Sequence, residues 1–211
     1  MISFTRADIP HIPESVSIAM APCTGRELAD ISWRNEISLQ LFSHLATRMG
    51  VTGTELTIEK EMSGRPVVIA DGERWGASIT HTRGMIGCAV NRTGEIGFDL
   101  ERANRSEHPA LRKRMLSPGD EQGLIERCST IQLWTIKEAV LKLHGSGLRV
   151  PMKTVVLSSV QDISNEPAGI TAGDRNFAPD VMVGARVNDL TALIFSARIH
   201  TYLFALAWKK S

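Results

Sequence analysis

The 211-residue chain has only three cysteines, Cys23, Cys88 and Cys128, and no CxxC pair. That argues against a disulfide framework or a cysteine-built zinc site, and for idle thiols in a reducing compartment. No run of about 18 apolar residues occurs, so no membrane-spanning helix is expected. Asp8, Pro10 and His11 interrupt any apolar segment at the N-terminus, where a signal peptide would need one. A cytoplasmic protein without a membrane partner is the expectation. An excess of one charge is also missing: 24 Lys plus Arg stand against 23 Asp plus Glu. A strongly basic nucleic-acid binder is therefore not indicated. What the chain does have is 43% apolar residues, enough for a sizeable core in one large domain or two small ones.

The charge is unevenly spread. Residues 1–104 carry 10 basic and 13 acidic side chains, and residues 105–211 carry 14 and 10. An acidic half facing a basic half suits a metal beside an anionic ligand. Free drift of surface charge produces the same imbalance.

Periodicity predicts a helix from Arg34 to Met49, with Ile37, Leu41, Leu45 and Met49 on one stripe and Gly50 closing it. Thr54–Glu59 reads as a short strand, and Gly64-Arg65-Pro66 as a turn or an extended entry. Strands follow at Ala77–Thr82, Met85–Asn91 and Glu95–Glu101, the last two joined by a hairpin turn containing Gly94. Arg102 to Pro109 is a candidate linker. Ser117 and Pro118 could cap and open a helix, and Ile131 to His144 is a second strong helix, closed by Gly145-Ser146-Gly147. Four strands complete the pattern, at Thr154–Val160, Val181–Val187, Thr191–Ile199 and Thr201–Trp208. The order helix, strands, helix, strands points to an α+β chain of two related α/β halves, 1–104 and 105–211.

Asp99 and Glu101 are two apart on a strand, so both leave one face while Ile96, Phe98 and Leu100 are buried on the other. Two carboxylates at that spacing repel unless a positive group stands near, and Mg²⁺ takes carboxylate oxygens. The competing reading is a solvated face with ion pairs to Arg102 or Arg105. In the second helix, Leu133, Ile136, Val140 and Leu143 face inward, while Trp134, Glu138 and Lys142 form a separate stripe. An exposed Glu–Lys pair explains the last two equally well. The hydroxyls and imidazole of Ser78-Ile79-Thr80-His81-Thr82, and the guanidinium of Arg65, suit phosphate oxygens.

These pieces occur in a telling order: Gly64-Arg65-Pro66, Thr80-His81-Thr82, Gly97-Phe98-Asp99-Leu100-Glu101, then Trp134-Thr135-Ile136-Lys137-Glu138-Ala139-Val140-Leu141-Lys142. The series resembles the 4′-phosphopantetheinyl transferases of the large, surfactin-synthetase-activating class, over about residues 34–150. That resemblance implies two similar α/β subdomains about a pseudo-twofold, with coenzyme A in the cleft between them. It implies transfer of the phosphopantetheine arm to a serine of an acyl or peptidyl carrier protein, with release of adenosine 3′,5′-bisphosphate. Asp99, Glu101 and Glu138 match the family's Mg²⁺ ligands. Lys142 matches the lysine on the pyrophosphate. Arg65 and His81 match residues that hold the nucleotide phosphates, Thr80 a neighbouring contact, and Arg34 a basic position on the first helix.

The serine proton would go to Glu138 or to a metal-bound water. Two halves in one chain suggest a monomer. A non-catalytic coenzyme A-binding relative and a Mg²⁺-dependent pyrophosphate hydrolase are the rival readings. The sequence departs from the family at Met115-Leu116-Ser117, where aromatics often precede the serine, and in its few basic residues near the front, chiefly Arg26 and Arg34.

Overall fold

The computed structural model describes residues 1–6, 8–51, 55–159 and 181–210. Thr54 and Val160, included in two of the expected strands, lie outside the described residues. The chain divides into two compact units, Met1–Ile96 and Gly97–Ser211. The division falls ahead of the expected boundary at 104/105, because the strand Ile96–Arg102 belongs to the second sheet.

The first unit contains β1 (Ile2–Phe4), β2 (Val16–Pro22), α1 (Gly25–Ala29), α2 (Ile31–Arg48), β3 (Leu56–Lys60), β4 (Pro66–Ala70), β5 (Glu73–Thr82) and β6 (Met85–Asn91). Its sheet runs β1-β2-β6-β5-β4-β3, and its pairs are antiparallel. Asp30 starts α2 by accepting hydrogen bonds from the backbone N–H of Ser32 and Trp33. Leu41, Phe42 and Leu45 of α2 are fully buried against Ala19, Val68, Trp75, Ala77 and Cys88 of the sheet. Side chains of that size contribute roughly 1.5–3 kcal/mol each on burial. Gly50, at φ 86°, follows the helix in the left-handed conformation that glycine tolerates.

The second unit contains β7 (Ile96–Arg102), α3 (Leu111–Met115), α4 (Gln122–Arg127), α5 (Thr130–His144), β8 (Val156–Ser159), β9 (Val181–Val187), β10 (Leu190–Ile199) and β11 (Tyr202–Lys209), with sheet order β7-β11-β10-β9-β8. Ser129 caps α5 by accepting from Gln132 N–H, and Gly145 ends it at φ 79°. The expected inward face of α5 is real: Leu133, Ile136, Val140 and Leu143 pack with Val183, Ala185, Ile194, Ala205 and Ala207. Each unit is thus one long helix laid on an antiparallel sheet, an α+β architecture.

Two local expectations fail. No hairpin joins the strands on either side of Asn91–Glu95. Both edges of β6 are taken by β2 and β5, and β7 lies beside β11. The Asn91 side chain donates to Glu95 O and accepts from Thr93 N–H, which turns the chain out of the sheet. Ser117 and Pro118 do not open a helix. Asp120 Oδ2 accepts from Ser117 N–H at 2.7 Å, which closes a turn, and α4 starts only after Glu121. No helix among the described residues is long and apolar enough to cross a membrane.

Candidate active site

In the second unit the site is built from β7 and α5. Alternation along β7 buries Ile96, Phe98 and Leu100 and sends Asp99 and Glu101 to the opposite side, as the sequence pattern requires. Gly97 lets this strand meet the helix backbone. A Cβ on Gly97 would stand 1.9 Å from Ala139 O and 2.6 Å from Leu143 N. Only glycine permits that approach. It brings Lys142 Nζ to 2.9 Å from Phe98 O and 2.8 Å from Asp99 Oδ1.

Glu138, one turn before Lys142, is 9% exposed. Burial pushes its carboxyl up to about 7, and repulsion from Asp99 adds to the rise, while Lys142 and Arg105 pull the other way. The reading of Glu138 and Lys142 as an exposed surface pair therefore fails, since both engage β7 chemistry and Glu138 is buried. Glu101 has the local partners that the competing reading offered. It accepts from Arg102 N–H and pairs with Arg105, whose guanidinium also stacks 5.4 Å over the Trp134 ring.

The expected three-carboxylate centre is Asp99, Glu101 and Glu138. Asp99 and Glu138 interact, but among the described residues no group of three His, Cys, Asp or Glu side chains stands together as a metal site. Lys142 on Asp99 and Arg105 on Glu101 supply the positive charge those carboxylates need. The donor chemistry still fits a hard divalent cation, because all three groups are carboxylates and the ionised form of Glu138 is disfavoured where it stands.

The residues expected to contact phosphate, Arg34, Arg65, Thr80 and His81, stand in the first unit in different surroundings. Arg34 Nη1 donates to His81 Nε2 at 3.2 Å, joining the start of α2 to the end of β5. The Arg34 Nε is buried with no hydrogen-bond partner. A buried, unmatched guanidinium donor beside an imidazole is chemistry that suits an anion. Thr80 is buried, and as the neighbour of His81 on a strand it leaves the opposite face. Arg65 lies between two carboxylates, Glu61 Oε2 at 2.8 Å and Glu95 Oε2 at 2.9 Å, so its charge is already offset locally.

Sequence reasoning missed a buried ion pair beside the site. Lys137 is fully buried, and its Nζ donates to Asp120 Oδ2 and Val155 O, both at 2.7 Å. Desolvation lowers the lysine pKa, and Asp120 restores part of it. Its place on α5, between the buried Ile136 and the Glu138 stripe, and within the Trp134–Lys142 motif, was the available signal. Gly97 could have been flagged as a glycine inside a strand.

Comparison with known proteins bears on this site. Residues 95–182, which include β7 and α5, match the 4′-phosphopantetheinyl transferase superfamily. Among individual relatives, the chain is 32% identical over 120 residues to the 4′-phosphopantetheinyl transferase HetI of Nostoc sp.. That match covers 51% of this chain and 49% of the relative, so the chain spans about half the length of the curated protein it matches.

Proposed function

We propose that the chain is a Mg²⁺-dependent 4′-phosphopantetheinyl transferase of the large two-lobed class, acting in the cytoplasm as a monomer. It would move the phosphopantetheine arm of coenzyme A to a serine of an acyl or peptidyl carrier protein. The observation that carries the reading is the Asp99–Lys142 contact at 2.8 Å with buried Glu138 beside it. The similarity of residues 95–182 to the superfamily supports it.

In this reading the serine Oγ attacks the phosphorus on the pantetheine side of the pyrophosphate. One P–O bond forms, the phosphoanhydride P–O bond breaks, and adenosine 3′,5′-bisphosphate leaves with the bridging oxygen. Glu138 takes the serine proton. Without a bound cation that carboxyl is held near 7, a value matched to the task at neutral pH, and ligating a cation would lower its basicity. Lys142, by exchanging Asp99 for a pyrophosphate oxygen, offsets charge on the leaving group. Arg34 and His81 hold the nucleotide phosphates, Arg65 only by sharing its guanidinium with Glu61 and Glu95, while Thr80 faces the other side of the strand. Asp99, Glu101 and Glu138 would hold the magnesium ion, which when bound neutralises pyrophosphate charge. For Glu101 this means giving up Arg105.

The test is mass spectrometry of an apo carrier protein incubated with the chain, coenzyme A and Mg²⁺. A gain of one phosphopantetheine is expected, and it disappears with EDTA. No gain across a panel of acyl and peptidyl carriers overturns the reading. Coenzyme A binding without transfer would leave a non-catalytic relative, and carrier-free release of the nucleotide would indicate a hydrolase.

A further inference from the structure

We infer that the buried Lys137–Asp120 pair is a positioning device that sets the rotation of α5, and with it the placement of Glu138 and Lys142. The inference rests on the function proposed above for those two residues. On a helix with about 100° per residue, the inward face of Ile136, Val140 and Leu143 leaves Lys137 on one flank and Ala139 on the other. Glu138 and Lys142 lie on the arc between those flanks, from which Lys142 reaches Phe98 O and Asp99 Oδ1 of β7. The Ala139 flank is fixed by backbone contact with Gly97. The Lys137 flank is fixed by the ammonium, held at 2.7 Å from both Asp120 Oδ2 and Val155 O.

Asp120 is itself anchored twice more. Its Oδ1 accepts from Leu157 N–H at 2.8 Å, and its Oδ2 accepts from Ser117 N–H at 2.7 Å. One carboxylate therefore ties α5 to β8 and to the 117–120 turn. Apolar side chains of similar volume would fill the space without the desolvation cost of two buried charges. What they would not supply is direction. A hydrophobic contact tolerates a small helix rotation, whereas a charged hydrogen bond with fixed partners does not. A rotation that moves Lys142 Nζ off Asp99 Oδ1 separates the groups proposed to act together.

The test compares the full-length wild type with K137M, K137R and K137M/D120N. Removing both charges should restore part of the melting temperature that K137M loses, since D120N keeps one of the two oxygens that accept from Leu157 and Ser117 N–H. The double variant should keep KM for coenzyme A within about threefold of wild type while kcat falls at least about tenfold. K137R, which keeps the contact with Asp120, should recover most of the kcat that K137M loses. Crystal structures should show the Asp99–Lys142 distance lengthened in the double variant. Wild-type kcat and an unchanged Asp99–Lys142 contact in a folded double variant overturn the inference. So does a folded K137R that performs no better than K137M, which decides the matter if the double variant fails to fold. If the wild type itself transfers nothing, the proposed function falls, and the crystallographic distance alone judges the pair.

Discussion

Glu138 is the residue whose environment is most at odds with its charge. Its carboxyl rises from an ordinary value of 4.5 to about 7, first through burial and then through Asp99. The folded state thus holds a proton that the unfolded chain gives up between those two values. Below the unfolded value both states are protonated, and the site costs nothing. As pH rises through the folded value the carboxylate must ionise where it is buried, and that stability is lost. In metal-free buffer, E138Q should therefore match the wild type near pH 4 and exceed it by on the order of 3 kcal/mol at pH 8. Urea unfolding at the two pH values measures the difference. An advantage independent of pH would mean that Glu138 is not held as the structure has it. The same substitution removes the proposed base, so the more stable protein should be the inactive one.

The elements that read most clearly were those with a strong period or a clear end. The strands at Met85–Asn91 and Val181–Val187 have the expected bounds, and α5 is displaced by one residue at its start. β2 went unread because six of its seven residues, Val16 to Ala21, are buried, which erases the alternation that marks a half-buried strand. α4 was misplaced because a Ser-Pro helix start and an Asp-closed turn begin with the same residues. At the site, strand alternation made Asp99 and Glu101 legible as neighbours. Their relation to Glu138 and Lys142 came only through family resemblance, since no local pattern relates residues forty positions apart.

Gly97 supplies that relation physically, and it can be tested at the level of two elements. In G97A the new methyl meets Ala139 O and Leu143 N, which are backbone atoms that cannot rotate away. β7 must lift from α5, carrying Asp99 off Lys142. The expected cost is about 3 kcal/mol or more of stability, with transfer reduced at least about a hundredfold. Gly123, in α4 of the same unit, has nothing within 4 Å of its added Cβ. G123A should be neutral or stabilising by about 0.5–1 kcal/mol. Denaturant curves and kcat for the pair provide the check. A harmless G97A would show that strand and helix need not touch.

The chain as a whole is nearly neutral, yet residues 105–211 carry 14 basic against 10 acidic side chains. That excess becomes a statement about partners only once the committed cations are set aside. Arg112 donates to Ile125 O, Cys128 O and Thr130 Oγ1, and so caps the end of α4. Lys137 is buried with Asp120, and Lys142 lies on Asp99. Among the other cations, Lys113 and Arg114 of α3 are exposed, beside Met115 and Leu116, where the sequence departs from the family it resembles. If an acidic carrier helix approaches this surface, attraction at distances near the Debye length should be weakened by salt. With coenzyme A saturating, KM for the carrier should rise about fivefold or more between 50 and 300 mM NaCl while kcat stays within about twofold. K113A/R114A should raise KM at low salt and flatten the salt dependence, because the charges being screened have gone. A KM that ignores salt, or a double variant with the wild-type slope, would remove α3 from the docking surface and leave the basic excess as ordinary surface charge.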